Sequence, residues 1–233
     1  MNAGQSTRVL IDTSPDLRYQ MLAAGAPALH GIAYTHTHAD QAHGIDDVRA
    51  LVYRRRERFF AAMSPATART LKSRFGYIFE TPKGSGYPPL LIAEELGSGE
   101  TAEFDGPGGR LGVTLFDVEH GGAPCSGVRC GPIVYTPDVN GLDGAAWREI
   151  EGCGLWIVDA LRERPHPSHA HLGMALDWLK RAAPQLGVLT NLHVDLDYRT
   201  LAETLPEGVR PAYDGLSVTV RAESGEIVAA DPI

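Results

Sequence analysis

The sequence is poor in cysteine, in basic charge and in long apolar runs, and each shortage excludes something. Only three cysteines, Cys125, Cys130 and Cys153, occur in 233 residues, so they cannot all pair, and their spacing is not that of a zinc knuckle. We read them as reduced thiols of a cytoplasmic chain, with a Cys125–Cys130 bridge as the alternative. Basic residues number 21 against 29 acidic ones, a net charge of −8. Affinity for phosphate backbones comes largely from Lys and Arg displacing counterions, so nucleic acid is disfavoured as a partner. No stretch approaches the ~18–20 apolar residues of a membrane helix. The polar start, Met1 to Arg8, has no signal-peptide core, and no membrane association is expected.

What is present is an ordinary globular composition, 43% hydrophobic and 21% charged, with enough length for one large domain, taken here as 1–233. Gly and Pro, 26 and 16 in number, punctuate many short elements. Strands are expected at Val9–Ile11, Gly31–Thr35, Leu90–Ala93, Gly112–Val118, Pro132–Thr136, Leu155–Val158 and Gly187–Thr190. A terminal hairpin, Leu216–Arg221 with Ile227–Ala230, turns at Ser224-Gly225. Ser14-Pro15 is expected to open a helix with Leu17, Met21 and Leu22 on one face. Ile45, Val48 and Leu51 recur at helical spacing, as do Leu172, Ala175, Leu176 and Leu179, and Thr200–Leu205 reads as a short helix. Short strands interspersed with helices argue for sheets covered by helices.

The nine histidines carry most of the chemical information. Thr35-His36-Thr37-His38-Ala39-Asp40-Gln41-Ala42-His43-Gly44 follows one strand and precedes a helix. In extended chain, residues two apart face the same side, so His36, His38 and Asp40 can converge on a metal ion. His120, Asp138 and His193 each stand just past the end of a buried strand, where loops supply chemistry on a rigid scaffold. Taken singly, each reads as a hydrogen-bonded loop residue; together with the first cluster they read as a metal site.

The order His36-x-His38-x-Asp40, His120, Asp138, His193 resembles that of the metallo-β-lactamase superfamily. Leu10-Ile11-Asp12-Thr13-Ser14-Pro15-Asp16-Leu17-Arg18, His43-Gly44-Ile45-Asp46-Asp47, Tyr135-Thr136-Pro137-Asp138 and Thr190-Asn191-Leu192-His193-Val194-Asp195 look like the branch that includes the phosphoribosyl cyclic phosphate phosphodiesterase. The resemblance runs from about Val9 to Val220. It implies an α/β fold, an αββα sandwich of two packed mixed sheets flanked by helices, with two metal ions at one sheet edge. By that match His36, His38 and His120 hold the first ion, Asp138 bridges, and Asp40 and His193 serve the second. Zinc is the expected metal, with manganese as the alternative. Two ions ~3.5–4 Å apart would activate water and clamp a phosphoryl oxygen.

Two departures qualify the resemblance. Where the family motif has a second histidine after the aspartate, this chain has Gln41, whose amide oxygen is a weak, neutral ligand. His43 has its own family counterpart and does not stand in, so one ion is expected to bind tightly and the second weakly. Family members also have an additional strand and a glycine-rich turn before the segment matching Val9 to Asp12. A missing strand would leave a bare sheet edge, so either the chain start is misplaced or a homodimer covers that edge.

The segment Pro165-His166-Pro167-Ser168-His169-Ala170-His171-Leu172 precedes a helix, with Ser168 as the expected N-cap. The family places near here a histidine that serves as proton donor or phosphate ligand; His169 fits best and His171 is the rival, the alternative being a set of solvent-facing histidines at a helix start. With Asp40, His169 and His171 form the candidate catalytic set. Asp159 is expected to hydrogen-bond a metal-ligand imidazole, and Asp195 either does so for His193 or belongs to a plain surface turn. Arg54-Arg55-Arg56-Glu57-Arg58 reads as a solvated helix face, or as a phosphate attractor if it overhangs the metals, with Phe59, Phe60 and Tyr77 either as an apolar wall or as core packing. The expected activity is phosphodiesterase action on a small cyclic or diester phosphate. The alternatives are a thioester or lactone hydrolase on the same scaffold, and a degenerate, non-catalytic binding member marked by Gln41.

Overall fold

The computed structural model describes residues 5–25 and 27–232 of the chain. It divides into two compact units, Met1–Leu115 and Phe116–Ile233.

The first unit is built on a four-stranded sheet of β1 (Val9–Ile11), β2 (Gly31–Ala33), β3 (Phe59–Met63) and β4 (Leu91–Glu95), in that order. Every neighbouring pair is parallel, so each return runs through a helix. These are α1 (Leu17–Ala23), α2 (Ala39–Ala42), the 3₁₀ turn Ile45–Asp47 with α3 (Val48–Arg55), α4 (Pro65–Arg74) and α5 (Gly76–Phe79). The core gathers Leu17, Ile32, Tyr34, Ile45, Val48, Phe59 and Leu71. Strand β5 (Glu100–Gly106) then turns back antiparallel onto β6 (Gly109–Val118).

Several expectations need adjustment. Helix α1 starts at Leu17 with Asp16 as its cap, two residues after Pro15; Leu17 is buried but Leu22 is 65% exposed. The arginine run does not form one helix face. Arg54 and Arg55 end α3, Arg56 turns the chain at φ 61°, and Phe59 begins a strand and packs in the core. Arg55 donates to the Leu29 carbonyl at 2.8 Å, and Arg58 to the Phe79 and Leu91 carbonyls. The question of an extra strand ahead of Val9 falls partly on Met1–Gly4, which lie outside the described residues.

The second unit holds a mixed sheet. Strand β7 (Cys125–Cys130) pairs antiparallel with β8 (Ile133–Thr136), and β8, β9 (Leu155–Asp159), β10 (Leu186–Thr190) and β11 (Val209–Pro211) follow in parallel. Helices α6 (Gly144–Ile150), α7 (Leu172–Ala182) and α8 (Tyr198–Thr204) alternate with these strands. Trp147, Trp156, Val134, Val158, Leu179 and Leu189 lie in its core, and Trp156 Nε1 donates to Thr136 Oγ1 at 3.0 Å. The hairpin of β12 (Leu216–Val220) and β13 (Ile227–Pro232) closes the chain. No disulfide links Cys125, Cys130 and Cys153. Among the described residues no helix is long and apolar enough to cross a membrane.

Candidate metal centre

In the first unit the histidine segment leaves β2 and is laced to the turn after β1. Thr13 N–H donates to the Gln41 carbonyl and Gly44 N–H to the Thr13 carbonyl, both at 2.8 Å. Gly44 is required there, since a Cβ would lie 1.9 Å from the Ser14 carbonyl oxygen. Asp12 anchors the arrangement from a left-handed backbone, φ 59°, a conformation a non-glycine residue keeps only where surroundings enforce it. Its carboxylate accepts from Thr35 N–H at 2.8 Å and from the Thr35 hydroxyl at 2.7 Å.

That contact settles a tautomer. A carboxylate only accepts, so the single Thr35 hydroxyl proton goes to Asp12. Thr35 Oγ1 must then accept from His36 Nδ1–H, 3.0 Å away. With the proton on Nδ1, the basic lone pair of His36 sits on Nε2, the form in which imidazole ligates a metal. His36 is buried, while His38 is exposed and its ring meets His36 edge-on at 4.7 Å. Asp40 lies in α2, exposed, and accepts from Gln41 Nε2 at 3.0 Å. Gln41 thus turns its amide nitrogen, and not its oxygen, toward Asp40.

In the second unit, the chain beyond β6 is zipped to the chain beyond β8. Glu119 N–H donates to the Gly141 carbonyl at 3.0 Å and Asn140 N–H to the Glu119 carbonyl at 2.8 Å. This sets His120 beside Asp138, both buried. His120 Nδ1 lies 2.7 Å from the Ser168 carbonyl, which can only accept, so again Nδ1 carries the proton and Nε2 the lone pair. His120 Nε2 stands 3.6 Å from Asp138 Oδ2, too far for a hydrogen bond. Two ligand atoms each about 2.0–2.2 Å from one zinc ion can be no more than ~4.4 Å apart, so this pair fits a shared ion. Gly121 admits the close approach of the loop that carries Ser168: its φ is +56°, and a Cβ there would lie 2.5 Å from Ser168 Cβ.

His169 completes this half. Its Nδ1 lies 2.9 Å from Asp159 Oδ2 and its Nε2 3.9 Å from Asp138 Oδ2. The Asp159 carboxylate is fully buried and also accepts from Val139 N–H at 3.1 Å. Burial pushes the Asp159 carboxyl above its ordinary value; the bonds from His169 and Val139 pull it back, and the Asp138 charge adds to the rise. Asp159 therefore orients His169, as a carboxylate behind a working imidazole does.

His171 lies on the helix instead. It is the N-cap of α7, its Nδ1 accepting from Met174 N–H at 3.2 Å. That corrects the expectation of a Ser168 cap. His193 is exposed, and its Nδ1 lies 3.4 Å from Asp195 Oδ2. Within the first unit His36 and His38 form one pair of potential ligands, and within the second His120 and Asp138 form another. Asp40 instead bonds to Gln41, His171 caps a helix and His193 meets Asp195.

Two residues escaped the sequence reading. Asn191 follows β10 at φ 60°, and its Nδ2 donates to Asp159 Oδ1 at 3.2 Å and Asp138 Oδ1 at 3.4 Å. Asn140 donates to the Pro167 carbonyl at 2.7 Å and accepts from Gly121 N–H at 3.0 Å, pinning the two loops that carry His120 and His169. An asparagine directly after a buried strand, where a left-handed residue is needed, was the available signal for Asn191.

Residues 7–192 match the beta-lactamase superfamily domain. The chain belongs to the metallo-β-lactamase superfamily. Its fold is the α/β fold of that superfamily, and its branch is that of the PhnP family. A crystal structure described as a new diphosphatase from the PhnP family superposes with a TM-score of 0.79 at 30% identity, covering 90% of this chain and 79% of that one. Zn(2+)-bound PqqB from Methylobacterium extorquens superposes with a TM-score of 0.69 at 16% identity, covering 93% and 84% of the two chains, a likeness of superfamily fold alone. A curated relative from Porphyromonas gingivalis, named octanoyltransferase, is 28% identical over 228 residues, or 97% of this chain and 45% of that protein. The chain thus spans less than half the length of that relative.

Proposed function

We propose that the chain is a metal-dependent hydrolase that cleaves a phosphoric diester or diphosphate bond in a small molecule. The observation that carries the reading is the Asp159–His169 pair beside Asp138 and His120. His36, His38, His120 and Asp138 would hold the ion, and a set of imidazoles with one carboxylate suits zinc. When bound, such an ion polarises a phosphoryl oxygen and makes water acidic enough to attack near neutral pH.

The chain's own residues do the rest. The Asp12–Thr35–His36 relay and the Ser168 carbonyl fix two imidazoles in the ligating tautomer. Asp159 holds His169 by Nδ1, so a proton carried on Nε2 faces the reaction side and can pass to the leaving alkoxide. The likeness to the diphosphatase supports phosphorus over carbon as the reacting centre.

A second reading is hydrolysis of an acyl ester or thioester, favoured by the octanoyltransferase name of the curated relative. That name belongs to a protein more than half of which lies outside the match, so it ranks below the phosphoryl reading. Purified chain assayed with a chromogenic phosphodiester, a diphosphate, a thioester and a lactone separates them. The phosphoryl reading expects cleavage of the diester or diphosphate, reduced at least a hundredfold in Asp138→Ala and His169→Ala. Turnover confined to the acyl substrates, or full activity in Asp138→Ala, overturns it.

A further inference from the structure

The first unit contains a cavity of about 420 Å³ lined by Arg49, Tyr53, Tyr77, Pro82, Tyr87 and Pro88. Three of the chain's eight tyrosines meet there. They remain 46%, 41% and 70% exposed at Tyr53, Tyr77 and Tyr87. Large aromatic side chains gathered at one exposed place usually mark a surface that something covers, and the volume is that of a small-molecule site.

The rings are held at their hydroxyl ends. Tyr77 donates to Asp46, Asp46 accepts from Arg49 at 2.8 Å, and Arg49 bonds in turn to Tyr53. A partly exposed ion pair of this kind contributes little to stability. Its consequence here is geometric: two aromatic rings are fixed before any ligand arrives, which lowers the ordering cost of binding. The Arg49 charge is matched by Asp46, so the cavity offers ring faces and apolar prolines, not an anion site.

Both walls are tied to the histidine segment of the same unit. Asp46 stands three residues beyond His43, and Tyr77 three beyond Arg74, whose guanidinium donates at 2.6 Å to the carbonyl of Thr37, between His36 and His38.

We propose that this cavity receives the planar base of a nucleotide, the part of the substrate distal to the phosphate ester that is cleaved. The inference rests on the phosphoryl reading above and names its substrate class. Every base has a stacking face, and one base–aromatic contact changes affinity by about 5- to 150-fold.

The test is calorimetric binding of adenosine 5′-monophosphate, ribose 5-phosphate and inorganic phosphate to the zinc-supplemented chain. Adenosine monophosphate is expected to bind at least about tenfold more tightly than ribose 5-phosphate. Tyr87→Ala should remove most of that advantage, Tyr87→Phe should keep it, and neither should change phosphate binding. Only the backbone of Tyr87 is hydrogen-bonded to the loop, so its truncation leaves the loop intact. Equal affinity for the two sugar phosphates, or an advantage unchanged in both Tyr87→Ala and Tyr53→Ala, overturns the base site and leaves the phosphoryl reading standing. Failure of all three ligands, inorganic phosphate included, to bind the unmodified chain overturns the phosphoryl reading, and the base site with it.

Discussion

Thr35→Val tests the tautomer relay with little change of shape. Thr35 is fully buried, and valine fills nearly the same volume without the hydroxyl. Two contacts vanish, the 2.7 Å bond to Asp12 and the 3.0 Å bond from His36 Nδ1. The Thr35 N–H bond to Asp12 at 2.8 Å survives, so the turn stays anchored. The His36 Nδ1–H then loses that acceptor in a buried place, at a cost of roughly 1–3 kcal/mol. The tautomer with its proton on Nδ1, which leaves the Nε2 lone pair to the metal, thereby loses its support, so zinc affinity should fall about 10- to 100-fold, the range seen when a partner behind a metal ligand is removed. Competition against a chromophoric chelator measures it, and Thr35→Ser, which keeps the hydroxyl, should bind like the unmodified chain. Zinc bound equally tightly by Thr35→Val would refute the relay.

Asp159→Asn should separate stability from activity. Because burial holds the Asp159 carboxyl above its ordinary value, the folded state favours its neutral form, and stability is lost as pH rises from the ordinary carboxylate range through that raised value. Asparagine carries no charge at any pH, so in chelator-treated protein the variant's Tm should gain on the parent's as pH rises from about 4 to 7, while diesterase activity drops; a Tm difference that does not change with pH contradicts this. Gly121→Ala forces a side chain into a left-handed position 2.5 Å from Ser168 Cβ and should cost about 1–3 kcal/mol, or several degrees of Tm. The same variant should bind zinc more weakly, because the displaced Ser168 carbonyl no longer fixes His120; unchanged affinity would show that this carbonyl is dispensable.

The ends of strands were easier to read than their middles. His36, His120 and Asp138 follow apolar runs that alternate or stay buried, and a polar, ligand-type residue after such a run has few structural reasons to be there. Strand β5, by contrast, reads Glu-Thr-Ala-Glu-Phe-Asp-Gly; only Ala102 and Phe104 are buried, too short an apolar alternation to stand out. Phe59–Met63 was hidden by the arginines before it, of which Arg54, Arg55 and Arg58 bond carbonyls of neighbouring segments while remaining exposed. The roles of Asn140 and Asn191 depend on side chains reaching 27 and 53 positions along the chain, which no local pattern encodes. His171 was misleading for the opposite reason: a helix cap and a proton donor look alike in sequence.

The proposal that one divalent ion is held by His36, His38, His120 and Asp138 is tested most directly by elemental analysis of the purified chain. About one tightly held ion per chain is expected, lost in His36→Ala and in Asp138→Ala, with a second retained only when Gln41→His restores an imidazole beside Asp40. Two tightly held ions in the unmodified chain, or an unchanged metal content in Asp138→Ala, would contradict it.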